Sequence, residues 1–363
     1  VAEHIDLLHE IYRKLMQALR PEDVFGLPPQ GVDARAHFDD RHRALARSIH
    51  PDLYRDHDDL REIAQDAAAR LEALHREATA RRAPGRDHTD AAGATILQAS
   101  QNRYILEEAF ARGDFATLYH GRLEGTQGPA GRVVLKIADD PGDNDLLLQE
   151  SKVARRLQEH PSRQSPYLPV LLDTLRTQDH RLANVLRFCD GVDLYEVKDK
   201  YPQGVPPQHL VWIFRRCLSA LGYAHSQGIL HGNLEPGHVL VRAQDHAIFL
   251  IDWTCAIVEP ARTGQGFRFH NATYSPPEVA ARKPPLPSSD LYSLGKTMLF
   301  LAGADMGTSE CPDTYDPRLA RFLKFFVKES PLQRAQDAWE LFHQLGALRK
   351  DIFGQHRFQT FAL

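Results

Sequence analysis

Apolar residues recur at helical spacing from the start of the chain. Ile5, Leu8, Ile11, Tyr12, Leu15 and Leu19 fall on one side of an amphipathic helix over residues 1–20, and Pro21 ends or kinks that run. The turn-rich connector FGLPPQG leads to a second helix, roughly Ala34 to Ile49. It has Phe38, Leu45 and Ile49 on one side and Arg41, Arg43 and Arg47 on its more exposed surface. Pro51 stops this helix, and a third runs from about Asp58 to Thr79 with acidic residues at its N-terminus, where they suit the helix dipole. The pattern predicts an all-α hairpin over residues 21–80 whose tip is His50-Pro51-Asp52.

From Ala78 to Thr95 the apolar periodicity disappears and Ala, Gly, Thr and charged residues take over, so residues 81–100 are read as a linker. At Tyr104 the pattern changes. YILEEAF, DFATLYHGRLEG and GRVVLKIAD alternate as strands with turn signals between them. LLLQESKVARRLQE is a helix, and RLANVLRFC is again strand-like. After Asp190 the chain reads mainly helical, with PPQHLVWIFRRCLSALGYAHSQG as a long amphipathic run ending at Gly228. The expected fold is α+β and multidomain. A small strand lobe (about 101–188) precedes a larger helical lobe (about 189–350), with 351–363 as a tail.

Composition narrows the function classes. A net charge of -4 over 363 residues gives no reason to expect a nucleic-acid partner. Cys189, Cys217, Cys255 and Cys311 show no CxxC spacing and read as buried thiols of a reducing compartment. No apolar run reaches the length of a membrane span, and no signal peptide is visible after Val1, so the expectation is a soluble, cytoplasmic protein without a membrane partner. The histidines at 160, 180, 209, 225 and 246 are scattered and form no metal set.

Two resemblances sharpen the picture. VFGLPPQGVDARAHFDDRHRALARSIHPDLY, with the following helix ending EALHREA, resembles a J domain over about sixty residues. That resemblance implies that His50, Pro51 and Asp52 engage an Hsp70 and stimulate its ATP hydrolysis, with Arg41, Arg43 and Arg47 steering the docking. The family's usual aromatic positions fall on Glu22 and His42 here.

From Tyr104 to Arg349 the order of motifs resembles the protein-kinase fold. The resemblance implies that Lys136 of VVLK contacts phosphate, that Glu150 is its helical ion-pair partner, and that Leu186 is the gatekeeper before the hinge FCDGVDLY. It further implies that Asp252 of DWT holds magnesium, that Glu278 of YSPPEV pairs with Arg334, and that Asp290 braces the catalytic loop. ATP and magnesium are the candidate cofactors.

The catalytic loop departs from that family. Where the family reads HRDLKPxN, this chain reads HGNLEPGH. His231 keeps its structural place. Asn233 stands where the base aspartate belongs, and an amide cannot accept the acceptor's proton. Glu235 replaces a lysine that would meet the transferring phosphate, turning attraction into repulsion. His238 replaces an asparagine that would hold a second magnesium, and imidazole prefers softer ions. The glycine loop keeps Gly113 but has Ala111 and Ala116 where two further glycines would lie. Thr254 replaces the glycine after Asp252-Trp253, and Asn271 a substrate-bracketing threonine.

The expectation is a pseudokinase joined to a J-like recruiter. In that account a co-chaperone or adaptor tethers an Hsp70 to a client or assembly bound by the kinase-like domain. Two alternatives stand beside it: an atypical protein kinase with residual ATP-dependent phosphotransfer, and a purely structural scaffold.

Overall fold

A computed structural model of the protein describes residues 2–18, 21–29, 33–54, 57–80, 95–126, 131–159, 167–355 and 357–363. Most of the expected linker, residues 81–94, lies outside the described residues. The chain divides into two compact units. One comprises Val1–Asp143, Leu172–Phe188 and His356–Thr360; the other Asn144–Leu171, Cys189–Gln355 and Phe361–Leu363.

The first unit opens with helices α1 (Ala2–Gln17), α2 (Pro21–Phe25), α3 (Ala34–Ser48) and α4 (Asp58–Ala80). Asp33 caps α3 by accepting the backbone N–H of Arg35 at 2.7 Å and of Ala36 at 3.3 Å, satisfying two donors that a helix start leaves orphaned. Helix α4 is the centre of this region, with α1, α2 and α3 all packed on it. Its buried stripe, Ala64, Ala67, Leu71, Leu74 and Ala78, repeats at three- and four-residue intervals. Leu8, Leu15, Ile49, Leu71 and Leu74 are 0–1% exposed, each stabilising the region by about 1.5–3 kcal/mol. Arg70 donates to the Ala18 carbonyl at 2.7 Å and the Leu15 carbonyl at 3.3 Å. The first helix is thereby fastened to the hairpin at its C-terminal end, where carbonyls lack helical partners.

The same unit carries strands β1 (Thr95–Gln98), β2 (Arg103–Arg112), β3 (Ala116–Leu123) and β4 (Arg132–Ala138). The second unit begins with helix α5 (Asn144–Glu159). Strands β5 (Leu171–Arg176) and β6 (Leu182–Arg187), with the chain back in the first unit from Leu172, complete that unit's six-stranded sheet of order β1-β2-β3-β4-β6-β5. Strand β1 pairs antiparallel with β2, Thr95 opposite Leu106, inside the stretch expected to be linker. Four residues are too short for alternation to stand out. Val133, Leu135 and Ile137 of β4 pack with Ala183 and Val185 of β6 in the sheet's core. Successive strand residues face opposite sides, so Lys136 points to the other face.

The second unit continues with β7 (Val192–Asp193), α6 (Leu194–Lys200), α7 (Pro207–Ser226), β8 (Ile229–Leu230), β9 (Val239–Arg242), β10 (Ala247–Leu250), β11 (Ile257–Val258), α8 (Pro260–Thr263), α9 (Pro277–Ala280), α10 (Pro287–Ala302), α11 (Pro317–Phe326) and α12 (Ala338–Phe353). Helix α7 is buried all round from His209 to Ala224 and is the central helix on which α10 and α12 pack. Tail residue Phe361 is 3% exposed and stacks on His209, with ring centroids 4.4 Å apart. The segment expected to be a tail therefore ends in a docked aromatic. Cys217 and Cys255 are buried as expected, whereas Cys189 and Cys311 are half-buried. Among the described residues no helix is long and apolar enough to cross a membrane.

Candidate active site

Four short strands set the site. Strand β8 pairs antiparallel with β11, and β9 with β10. The loop from β8 to β9 (231–238) and the loop from β10 to β11 (251–256) therefore begin and end on paired strands and lie side by side.

Beneath them Asp290 of α10 accepts three hydrogen bonds: His231 N–H at 2.8 Å, Gly232 N–H at 3.0 Å and His225 Nε2–H at 2.9 Å. Burial alone would raise the Asp290 carboxyl, but its hydrogen bond with His225 and the nearby imidazoles hold it below the usual carboxylate range. His231 is fully buried and donates from Nε2 to the Ile251 carbonyl at 2.9 Å, while its Nδ1 faces the Asn233 N–H at 3.4 Å. That assigns the neutral Nε2–H tautomer. Burial pushes its pKa down to about 4, against the opposing pull of Asp290. Gly232 has φ +76°, and a Cβ there would sit 2.4 Å from the Cys255 carbonyl oxygen, so only glycine fits where the two loops touch. Nothing in the sequence marks this close backbone approach.

A second support lies nearby. Arg334 and Glu278 form a two-pronged ion pair at 2.7 and 3.0 Å, with side chains 1% and 2% exposed. Arg334 also donates to the carbonyls of Glu329 and Ser288, and Ser289 to Glu278. A buried charge pair this fully hydrogen-bonded is costly to break from either side.

The chemical positions show different partners. Asp252 is in the left-handed region, φ +60°, a strained conformation for a non-glycine residue. One of its carboxylate oxygens accepts the Thr254 hydroxyl and, at 3.3 Å, the Thr254 N–H. Its other oxygen lies 3.5 Å from His238 Nε2. His238 donates from Nδ1 to the Asn233 carbonyl at 2.7 Å, which leaves Nε2 facing Asp252 and, at 3.8 Å, Glu235. Glu235 is held from the other side by the Asn271 amide. These residues thus interlock: Asn271 with Glu235, His238 with Asn233, and His238 beside Asp252.

The residues expected to hold nucleotide sit in separate units. Lys136 is on β4, opposite Leu118 of β3 and Asn184 of β6, and is 5% exposed. A lysine so enclosed is retained only with an anionic partner. Glu150, on α5, is 2% exposed. Gly113, between β2 and β3, donates to the Ala116 carbonyl at 2.9 Å. A Cβ there would make an ordinary contact at 3.5 Å, so its backbone does not demand glycine.

The model of the protein kinase domain family matches residues 104–317, more than half of the 363-residue chain. The chain belongs to the protein kinase family. The kinase match begins at residue 104 and leaves the helical region outside it. The kinase domain resembles serine/threonine-protein kinase F of Synechocystis sp. at 30% identity over 143 residues, 37% of this chain and 28% of that protein. It also resembles calcium/calmodulin-dependent protein kinase type 1 of Macrobrachium nipponense at 27% over 210 residues, 55% of this chain and 56% of the relative. Serine/threonine-protein kinase PkaB of Streptomyces coelicolor is 27% identical over 216 residues, 56% of this chain and 49% of the relative. The chain spans about half or less of the length of these curated relatives.

A magnesium ion wants hard oxygen ligands. The Asp252 carboxylate fits such an ion, whereas the His238 imidazole does not. The donor set suits one ion at Asp252, with an imidazole at the position expected to serve a second.

Proposed function

We propose that this chain is an atypical protein kinase whose kinase domain binds ATP with one magnesium ion and transfers phosphate slowly. Lys136 would meet the phosphates, Glu150 would orient that lysine, and Asp252 would hold the ion. The bound ion supplies charge neutralisation at the phosphates. The observation that carries this reading is the fixed presentation of the Asp252 carboxylate, strapped by Thr254 above a loop that Asp290 grips.

Catalysis of phosphoryl transfer is mostly positioning and electrostatics. Loss of a general base removes about 10²–10⁴ in rate, not the whole acceleration. Starting from about 1–100 s⁻¹ for kinases, residual turnover of roughly 10⁻⁴ to 1 s⁻¹ follows, with Glu235 repulsion favouring the low end. The likeness to proteins named as serine/threonine kinases supports this reading over the co-chaperone account.

The test is calorimetric titration with ATP, with and without magnesium, beside transfer of the terminal phosphate. Magnesium-dependent binding and slow transfer, both lost in Asp252→Ala, are expected. A folded protein that binds no ATP would sink the reading.

A second reading concerns the helical region: recruitment and stimulation of an Hsp70, with the kinase domain binding a client or assembly. It is favoured by the exposure of His50 and Asp52, 59% and 53%, at the tip joining α3 to α4. Half-buried Pro51 lies between them, and Arg41, Arg43 and Arg47 are exposed on α3. Arg43 is paired with Asp40 on the same helix, which reduces the free positive charge. A His50→Gln variant should fold normally and lose stimulation of a cognate Hsp70; equal stimulation by both forms would rule the reading out.

A further inference from the structure

Two histidines and two carboxylates converge where α3 packs on α4. Asp39 and His42 are three residues apart on α3, and Glu72 and His75 three apart on α4, so each pair shares one helix face. His42 Nε2 lies 2.9 Å from Glu72 Oε1, and His75 Nε2 lies 2.7 Å from Asp39 Oδ1, both across the helix pair. The two imidazoles stack with centroids 4.3 Å apart. Ligand atoms of His42, Glu72 and His75 all fall within 4.8 Å of one another.

Ordinary histidine–carboxylate hydrogen bonds account for half of this arrangement. His75 makes such a bond to Asp39. His42 does not: its Nε2 is enclosed yet has no hydrogen-bond partner, although the Glu72 oxygen is within reach. The carboxylate therefore lies off the line of a ring N–H. An enclosed ring nitrogen left without a bond is costly, and a cation between nitrogen and carboxylate satisfies both.

We propose that His42, Glu72 and His75, with Asp39 as fourth ligand, bind one divalent transition-metal ion, zinc being the best match. Two imidazole nitrogens and two carboxylate oxygens suit four-coordinate zinc at about 2.0–2.2 Å, and the carboxylates balance its charge. Magnesium and calcium prefer all-oxygen sets. The histidines are 14% and 20% exposed and the carboxylates 58% and 42%, so the nitrogens are sheltered while the oxygens face the entry side and can swing inward. The ion would tie α3 to α4 about 12 Å along the helix from His50, at 1.5 Å per residue.

The test uses the metal-stripped full chain. Zinc chloride is titrated by calorimetry, and cobalt chloride by the visible absorption of tetrahedral cobalt. One zinc per chain, displacement of cobalt by zinc and a raised Tm are expected. Glu72→Gln, a change at an exposed position, should weaken zinc by about 10- to 100-fold, a range seen even for loss of an outer-sphere partner. The double variant His42→Ala, His75→Ala should lose the cobalt spectrum, with circular dichroism reporting that it remains helical. Absence of stoichiometric binding by the parent chain overturns the proposal. So does binding unchanged in Glu72→Gln and, if it folds, in the double variant, which would assign the metal to other histidines.

Discussion

The floor of the candidate site and its rim have been built to different standards. The floor is Asp290 with His225, His231 and Gly232, and beside it Glu278 with Arg334; every charge there is buried and hydrogen-bonded. The rim is Asn233, Glu235, His238 and Asp252, half-exposed and held by contacts among the exchanged residues themselves. The difference teaches that holding a loop and doing chemistry on it are separable demands. Removing one partner of a buried charge pair strands the other and costs folding free energy, while half-solvated groups can be exchanged and can re-pair locally.

Breaking the floor should cost most. Arg334→Leu strands the buried Glu278 carboxylate, and denaturant unfolding should show a loss of about 3–5 kcal/mol. A loss below about 1 kcal/mol would mean that the floor is no better built than the rim.

Acid tests the same floor without mutation. The folded-state pKa of His231, about 4, lies below its ordinary 6.5. The folded protein thus resists protonation there, and this contribution is fully present above pH 6.5 and lost as pH falls through 4. The expected loss is on the order of 3 kcal/mol, read from urea midpoints across that window. His231→Gln should flatten the slope, because the amide can still donate to Ile251 but does not titrate.

Changes on the rim should move chemistry and leave folding almost untouched. Asn233→Asp should raise phosphate transfer by about 10²-fold, the low end for restoring a base, since Glu235 still repels the phosphates. That gain equals about 2.7 kcal/mol of barrier. A radioactive transfer assay that finds no gain, with ATP bound, would place the deficit at Glu235 or His238 instead.

The smallest effect separates two glycines. Gly113→Ala should change stability by no more than about 1 kcal/mol, as at compatible backbone positions. The matching change at Gly232 forces a side chain against the Cys255 carbonyl and should be clearly destabilising in the same melting experiment.

Much of this is legible in the sequence. Helices α3 and α4 follow from Phe38 and Ile49, from the spacing of apolar residues, and from Pro51 and the acidic start at Asp58. The sheet's central strands follow from the β-branched and alternating runs around Val133 and Val185. Other features were not legible. Strand β1 falls in the stretch expected to be linker, because TILQ is too short for periodicity to register. Gly232 looked like one more loop glycine, because close approach of the Cys255 carbonyl is a contact between loops 23 residues apart in sequence. Phe361 falls in the expected tail, since nothing local says which aromatic face it will find.

By itself the sequence determined the element types, the order of the motifs and an amide at Asn233 where the kinase resemblance expects a carboxylate, because each depends on local periodicity or on the chemistry of one residue. Only the tertiary structure decided that His238 turns its free nitrogen to Asp252, that Asn271 reaches Glu235, and that His42 and His75 stack between α3 and α4. Those pairings depend on which faces meet when helices and loops pack. Apolar burial far from the polar groups sets that packing, so the polar partners are chosen by geometry that their own spacing does not encode.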